Sequence, residues 1–267
     1  MARKKRSADE QIKRLRTYNI VAGAVHLAQG LAFLFVLTQI STQVMFPVTV
    51  DYMTGPPGVD LPTERVTLFE INLGFGVIAF LFLSAFFHFL ISSPGVFTRY
   101  GNGLKKNHNY FRWTEYALSS SVMIWLIAQL TGATDVGALF GIFAVNASMI
   151  LFGALQEKYE KPGNKKFLPF IFGSMTGIVP WIIILIYTLQ PGATGANEVP
   201  GFVIGIIVSL FVFFNTFAIN QVLQYRQVGG WRDYLRGERM YITLSLIAKS
   251  VLAWQVFSGA LVPLFTS

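Results

Sequence analysis

Lys249 lies in "SLIAKSVLAW" (245–254), a stretch otherwise composed for the interior of a bilayer. An ammonium group buried in hydrocarbon is costly, and a chain keeps one there for a partner or for a use. Lys249 stands ten residues beyond Arg239. At about 1.5 Å per residue its Cα is about 15 Å in, close to mid-membrane. Glu115 stands ten residues beyond Lys105, His26 ten beyond Arg16, and His88 eleven before Arg99. A lysine, a carboxylate and two histidines therefore share one layer, to about one helical turn. Asn146, Asn215 and Thr176 fall at similar depth, and Glu115 reads as the only deeply placed carboxylate.

The chemistry open to this set is specific. Desolvation favours a neutral amine, which is a nucleophile toward an aldehyde; the product is an imine. A protonated imine is a buried cation, and Glu115 is the carboxylate placed to balance it. Ser245, one turn before Lys249, can hydrogen-bond either partner. Blander uses exist for each group. Lys249 and Glu115 can form a purely structural ion pair, and His26 and His88 can be satisfied by carbonyls, Ser84 or Gln29. Asn146 and Asn215 can simply bond neighbouring helices. No HxxxH or ExxH spacing supports a metal site, and none is expected. "GNG" at 101–103 is no phosphate cradle, and the chain has no cysteine.

The elements that position this layer follow from composition. Of 267 residues, 53% are hydrophobic and only 13% charged, where a soluble domain carries about a quarter charged. Seven apolar stretches are long enough to cross a bilayer: Tyr18–Ile40, Val66–Ile91, Phe111–Leu130, Asp135–Gln156, Phe167–Leu189, Gly201–Gln224 and Met240–Leu264. The fold expected is an all-α bundle of seven membrane helices, residues 18–264, preceded by a basic tail, residues 1–17. The tail holds seven of the 21 Lys and Arg, and the loops joining spans two–three, four–five and six–seven hold four each. Arg65 is the single one on the other side, so the positive-inside rule places the N-terminus in the cytoplasm and the C-terminus outside. The net charge of +8 is mostly this topology signal, and a nucleic-acid partner is not expected. The basic loops suit an acidic partner or anionic lipid equally.

The outward loop at residues 41–65 is long; its "VMFPVTVDYM" and the turn signal "TGPPG" predict a short extracellular hairpin, whose edge could pair with a second copy. Gly137–Gly141, Gly173–Gly177 and Gly201–Gly205 permit close helix approach, and Pro180 and Pro263 are tolerated kinks.

Longer stretches carry a resemblance: "FRWTEYALSSSVMI" (111–124), "FAVNASMILFG" (143–153), "GIVPWI" (177–182) and "YLRGERMYITLSLIAKSVLAWQVFSG" (234–259), with "VAGAVHLAQ" and "SAFFHF". Together they resemble the heliorhodopsin family over nearly the whole chain. Heliorhodopsins are described as inverted in the membrane relative to other microbial rhodopsins, the orientation the loop charges give independently. The resemblance implies that Lys249 carries all-trans retinal as a Schiff base, with Glu115 its counterion and Ser245 beside the pair. It implies that His26 and His88 line a polar cytoplasmic cavity able to take part in proton movement. It implies that Ser119, Ser120, Asn146 and Phe214 lie in or beside the retinal pocket, and that the long first outward loop and spans four and five form a homodimer contact.

The chain departs from the proton-pump pattern. The residue eleven after Glu115 is Leu126, which cannot carry a proton, and Ser245 stands where pumping relatives carry a second carboxylate. The expected function is therefore a light sensor with a slow signalling cycle, an unidentified cytoplasmic signalling partner and no ion pumping. The alternative is a light-driven or light-gated ion transporter using His26, His88 and Glu115. An enzyme with Lys249 as direct base or nucleophile finds no substrate site elsewhere in the sequence, and no enzymatic activity is expected.

Overall fold

In lipid a backbone must satisfy its own hydrogen bonds, and this chain does so mainly as helix. A computed structural model describes residues 7–41, 43–56, 58, 63–192 and 199–262. In chain order its elements are α1 (Ala8–Leu37), strands β1 (Met45–Met53) and β2 (Thr63–Asn72), α2 (Leu73–Ser92), α3 (Pro94–Lys105), α4 (Tyr110–Leu130), α5 (Val136–Tyr159), α6 (Leu168–Leu189), α7 (Gly201–Tyr225) and α8 (Tyr234–Val256). Six of these helices are long and apolar enough to cross a membrane. At 21 residues α4 has the length too, yet it carries Arg112, Glu115, three consecutive serines and Gln129.

Three boundaries differ from the sequence expectation. Ser7 caps α1 in a reciprocal box with Glu10, so residues 8–17, expected as tail, are helix. The second span starts at Leu73 and not at Val66, because residues 66–72 belong to β2. Asn72 ends that strand by accepting the Phe75 N–H at 3.1 Å as the α2 cap. Asp233 caps α8 with its side chain too, so that helix starts at Tyr234, six residues before the expected Met240. Helix α3 was not anticipated; Pro94 in its first turn starts it, and Tyr100 and Leu104 are buried with Ile12 of α1.

The strands pair antiparallel from Met45↔Asn72 to Met53↔Thr63, with a bulge between Val48 and Thr49. The ribbon docks on the α4–α5 turn, where the Thr49 N–H donates to the Thr134 carbonyl at 2.8 Å. The turn signal at 54–58 lies partly outside the described residues, and Pro263 and Leu264 wholly so.

At the opposite end the basic segments gather. Lys105 of α3 pairs with Asp9 of α1, Arg16 donates to the Ser92 carbonyl, and the α5–α6 connection touches the end of α7 through the Gly163 N–H and Tyr225 carbonyl. The large core cluster, with Val77, Leu126, Ile127, Leu139 and Leu252, fills the half toward the ribbon. A smaller one, with Ile12, Leu15 and Leu104, sits at the basic end. Gly173 and Gly177 face Phe152 and Met149 of α5, so that small-residue pair serves a contact inside the bundle.

Candidate functional site

Helices α4 and α8 bring the central pair together. Lys249 Nζ donates to Glu115 Oε1 at 2.5 Å, with the residues only 3% and 5% exposed. A third helix supports the carboxylate: Ser84 Oγ of α2 lies 2.7 Å from the same oxygen and also reaches the Phe80 carbonyl. This is the contact the sequence offered to Ser245; instead the Ser245 hydroxyl is buried with no partner among the described residues. The Lys249 ammonium also stands over the Tyr116 ring, 5.3 Å from its centroid.

The histidines adjoin this pair. His88 Nδ1 is 2.7 Å from Asn19 Oδ1, which only accepts, so the network assigns the hydrogen to Nδ1. His26 stacks on His88 with ring centroids 5.7 Å apart and planes inclined by 14°. Both His26 nitrogens and His88 Nε2 are buried without a partner among the described residues. Unsatisfied polar atoms of this kind are what a bound water or a transferred proton would serve.

Lys249 and Ser245 form part of the wall of a cavity of about 210 Å³ between α4, α5, α6, α7 and α8. Tyr116, Trp181, Phe214 and Phe217 make it aromatic, and Ser119 and Ser120 line it. Glycines let its walls pack closely: a Cβ at Gly153 would lie 2.6 Å from the Trp113 ring, and one at Gly177 would meet the Met149 sulfur. Asn146 is not in the wall but behind it, donating to Ser120 Oγ at 2.8 Å and Ser121 Oγ at 3.0 Å. Asn215 reaches the cavity although its amide is spent on the Phe211 carbonyl. The Thr176 hydroxyl bonds back to the Phe172 and Gly173 carbonyls of its own helix.

Two further carboxylates are buried, nearer the basic end than Glu115. Glu157 of α5 and Glu238 of α8 are buried at the basic end, both paired with Arg112 of α4. Arg112 looked like a loop charge because it sits just inside its helix. Spacing carried a signal for Glu238, which precedes Lys249 by eleven residues, three helical turns on one face. It carried one for Asn19 as well, seven residues before His26.

A family model described as Heliorhodopsin matches residues 15–261. The chain belongs to the heliorhodopsin family. A solved structure described as the crystal structure of thermophilic rhodopsin aligns with a TM-score of 0.59 at 14% identity, covering 93% of each chain, which shows a shared fold. No curated protein matches the chain. This heliorhodopsin is a multi-pass integral membrane protein in a lipid bilayer, and membership with a rhodopsin fold supports a retinal photoreceptor. A rhodopsin family implies retinal on a lysine, and the residues here fit that group: a buried amine with one carboxylate partner opens on a largely aromatic cavity.

Proposed function

We propose that this heliorhodopsin is a light sensor in which Lys249 binds all-trans retinal covalently and Glu115 is the counterion. The observation that carries this reading is the buried Lys249–Glu115 pair in the wall of the aromatic cavity. Joined to Lys249 as a protonated Schiff base, the chromophore supplies visible absorption and a light-driven isomerisation. Glu115 neutralises the cation at Nζ, and Ser84 fixes the carboxylate from a third helix. Ser245 and Ser119 offer free hydroxyls beside the site, Ser120 and Asn146 hold its α4–α5 side, and Phe214 forms its wall. His26 and His88 accept the proton that leaves Nζ, on the side of the basic loops.

All seven long helices cross the membrane in this reading. Glu115 and Arg112 of α4 are balanced by Lys249, Glu157 and Glu238, which makes its polarity tolerable. The basic loops place the N-terminus in the cytoplasm, where a signalling partner acts, and the strand ribbon outside. Exposed Val66, Leu68 and Phe69 on the ribbon and Phe140 on α5 suit a homodimer contact. The half beyond Glu115 is closed by Leu126 and its apolar neighbours, so the cycle signals and does not pump.

Purification with added retinal followed by an absorption spectrum tests the reading. Wild type should be coloured and Lys249→Ala colourless; a colourless wild type across neutral pH ends the proposal. Glu115→Gln should move both the absorption maximum and the pH midpoint of the colour, and no movement would refute the counterion role. A stationary photocurrent under voltage clamp would replace the sensor with a light-driven or light-gated transporter.

A further inference from the structure

We propose that Glu238 stores the proton released from the Lys249 site, within the bundle at its basic end. This rests on the reading of Lys249 as the chromophore lysine. Three independent observations lead to it.

Charge balance comes first. Arg112, Glu157 and Glu238 are buried together, at 7%, 8% and 1% exposure. One guanidinium faces two carboxylates, so the fully ionised cluster is one negative charge in excess. Among the described residues the side chains touching it, Asn109, Trp113, Tyr234 and Tyr241, bring no cation. Tyr225 of α7 is spent on the Gln156 carbonyl, and Tyr100 of α3 meets Asn19. A buried excess charge is relieved by taking up one proton.

Donor count then selects the site. Glu157 receives the Asn109 N–H at 2.9 Å, Arg112 Nη2 at 2.7 Å, Trp113 Nε1 at 2.5 Å and the Tyr234 hydroxyl at 2.7 Å. Four donors occupy the acceptor positions of that carboxylate and leave none for an added hydrogen. Glu238 receives one hydrogen bond, from Asn109 Nδ2 at 2.9 Å, and is ion-paired with Arg112 Nη1, leaving capacity for an added hydrogen.

Access completes the case. A second cavity, of about 30 Å³, is lined by Glu115 and His88 together with Arg112, Asn109 and Glu238. That is room for a bridging water among polar partners. The proton leaves Nζ, passes His88 and the water, and forms an O–H bond on a Glu238 oxygen; the carboxylate becomes a carboxylic acid and the cluster becomes neutral. No electron moves, and dark recovery runs the same steps backward.

Light-minus-dark infrared spectroscopy of the full-length retinal-loaded protein tests this. The long-lived state should gain a protonated-carboxyl C=O band that is lost in Glu238→Gln and kept in Glu157→Gln. In Glu238→Asp the band should shift in frequency, which preserves the test should the amide variants fold poorly. Acid titration of the retinal-free protein adds a second readout: wild type should take up about one more proton per chain than Glu238→Gln. A band that survives Glu238→Gln, or that stays unshifted in Glu238→Asp, overturns the proposal, as does equal proton uptake. A colourless wild type defeats the chromophore reading instead, and the retinal-free titration still decides whether Glu238 binds the proton.

Discussion

The two ends of the bundle are filled with opposite materials. Toward the strand ribbon, Val77, Phe80, Leu126, Ile127, Leu139 and Leu252 close around one another. From the Lys249–Glu115 pair toward the basic loops, the interior holds two stacked histidines, Asn19, Asn109 and the Arg112–Glu157–Glu238 cluster. Stability rests on different physics in each: packing in the first, balanced charge in the second. A vectorial carrier needs proton-binding groups on both sides of its central pair. In the proposed mechanism one side alone supplies them, so the proton that moves returns by the way it left.

Arg112→Ala tests the polar end most severely. Removing the guanidinium leaves two carboxylates buried without their cation, and we expect a loss of about 3–5 kcal/mol, read as thermal unfolding in detergent. A change too small to measure would mean that water, and not Arg112, balances the cluster. Leu126→Ala probes the apolar half and should cost less. Lipid is as apolar as leucine, so packing carries most of the loss, about 2 kcal/mol in the same assay. A larger loss there than in Arg112→Ala would reverse the comparison. The smallest effect is at the outer surface, where Arg65 donates to Asp51 at 2.9 Å and 3.0 Å across the ribbon. That hydrogen bond, outweighing slight desolvation and joined by the guanidinium charge, holds the Asp51 carboxyl below the ordinary aspartate range. The native value is lowered, so its contribution is present above the unfolded pKa and disappears as pH falls through the native one. Hydrogen exchange of the β1 and β2 amides should show that acid dependence in wild type and lose it in Asp51→Asn.

Much of the central site was readable from distance to the nearest basic residue, because those residues mark the membrane boundary to about a turn. Lys249, Glu115, His26 and His88 emerged in that way. What stayed hidden was pairing across helices. Nothing in one dimension says that Ser84 of α2, and not Ser245 of α8, reaches Glu115, since the choice depends on how three helices are rotated. The start of the second span was misplaced because "VTLFEIN" is as apolar as a helix end. Its β-branched residues and the capping Asn72 were the better guide. Arg112 was counted with the loops for a related reason: charge alone does not distinguish a boundary marker from a residue turned inward onto two acids.

The polarity of α4 also constrains how the protein is made. Its ionised side chains, Arg112 and Glu115, find their partners on α5 and α8, segments that leave the ribosome later. In the proposed seven-span reading, this helix has no settled place in lipid until the last of them arrives, and it would wait in a hydrated surrounding. Biogenesis would then be completed from the C-terminal end, and a nascent chain truncated before α8 should leave its fourth helix unanchored.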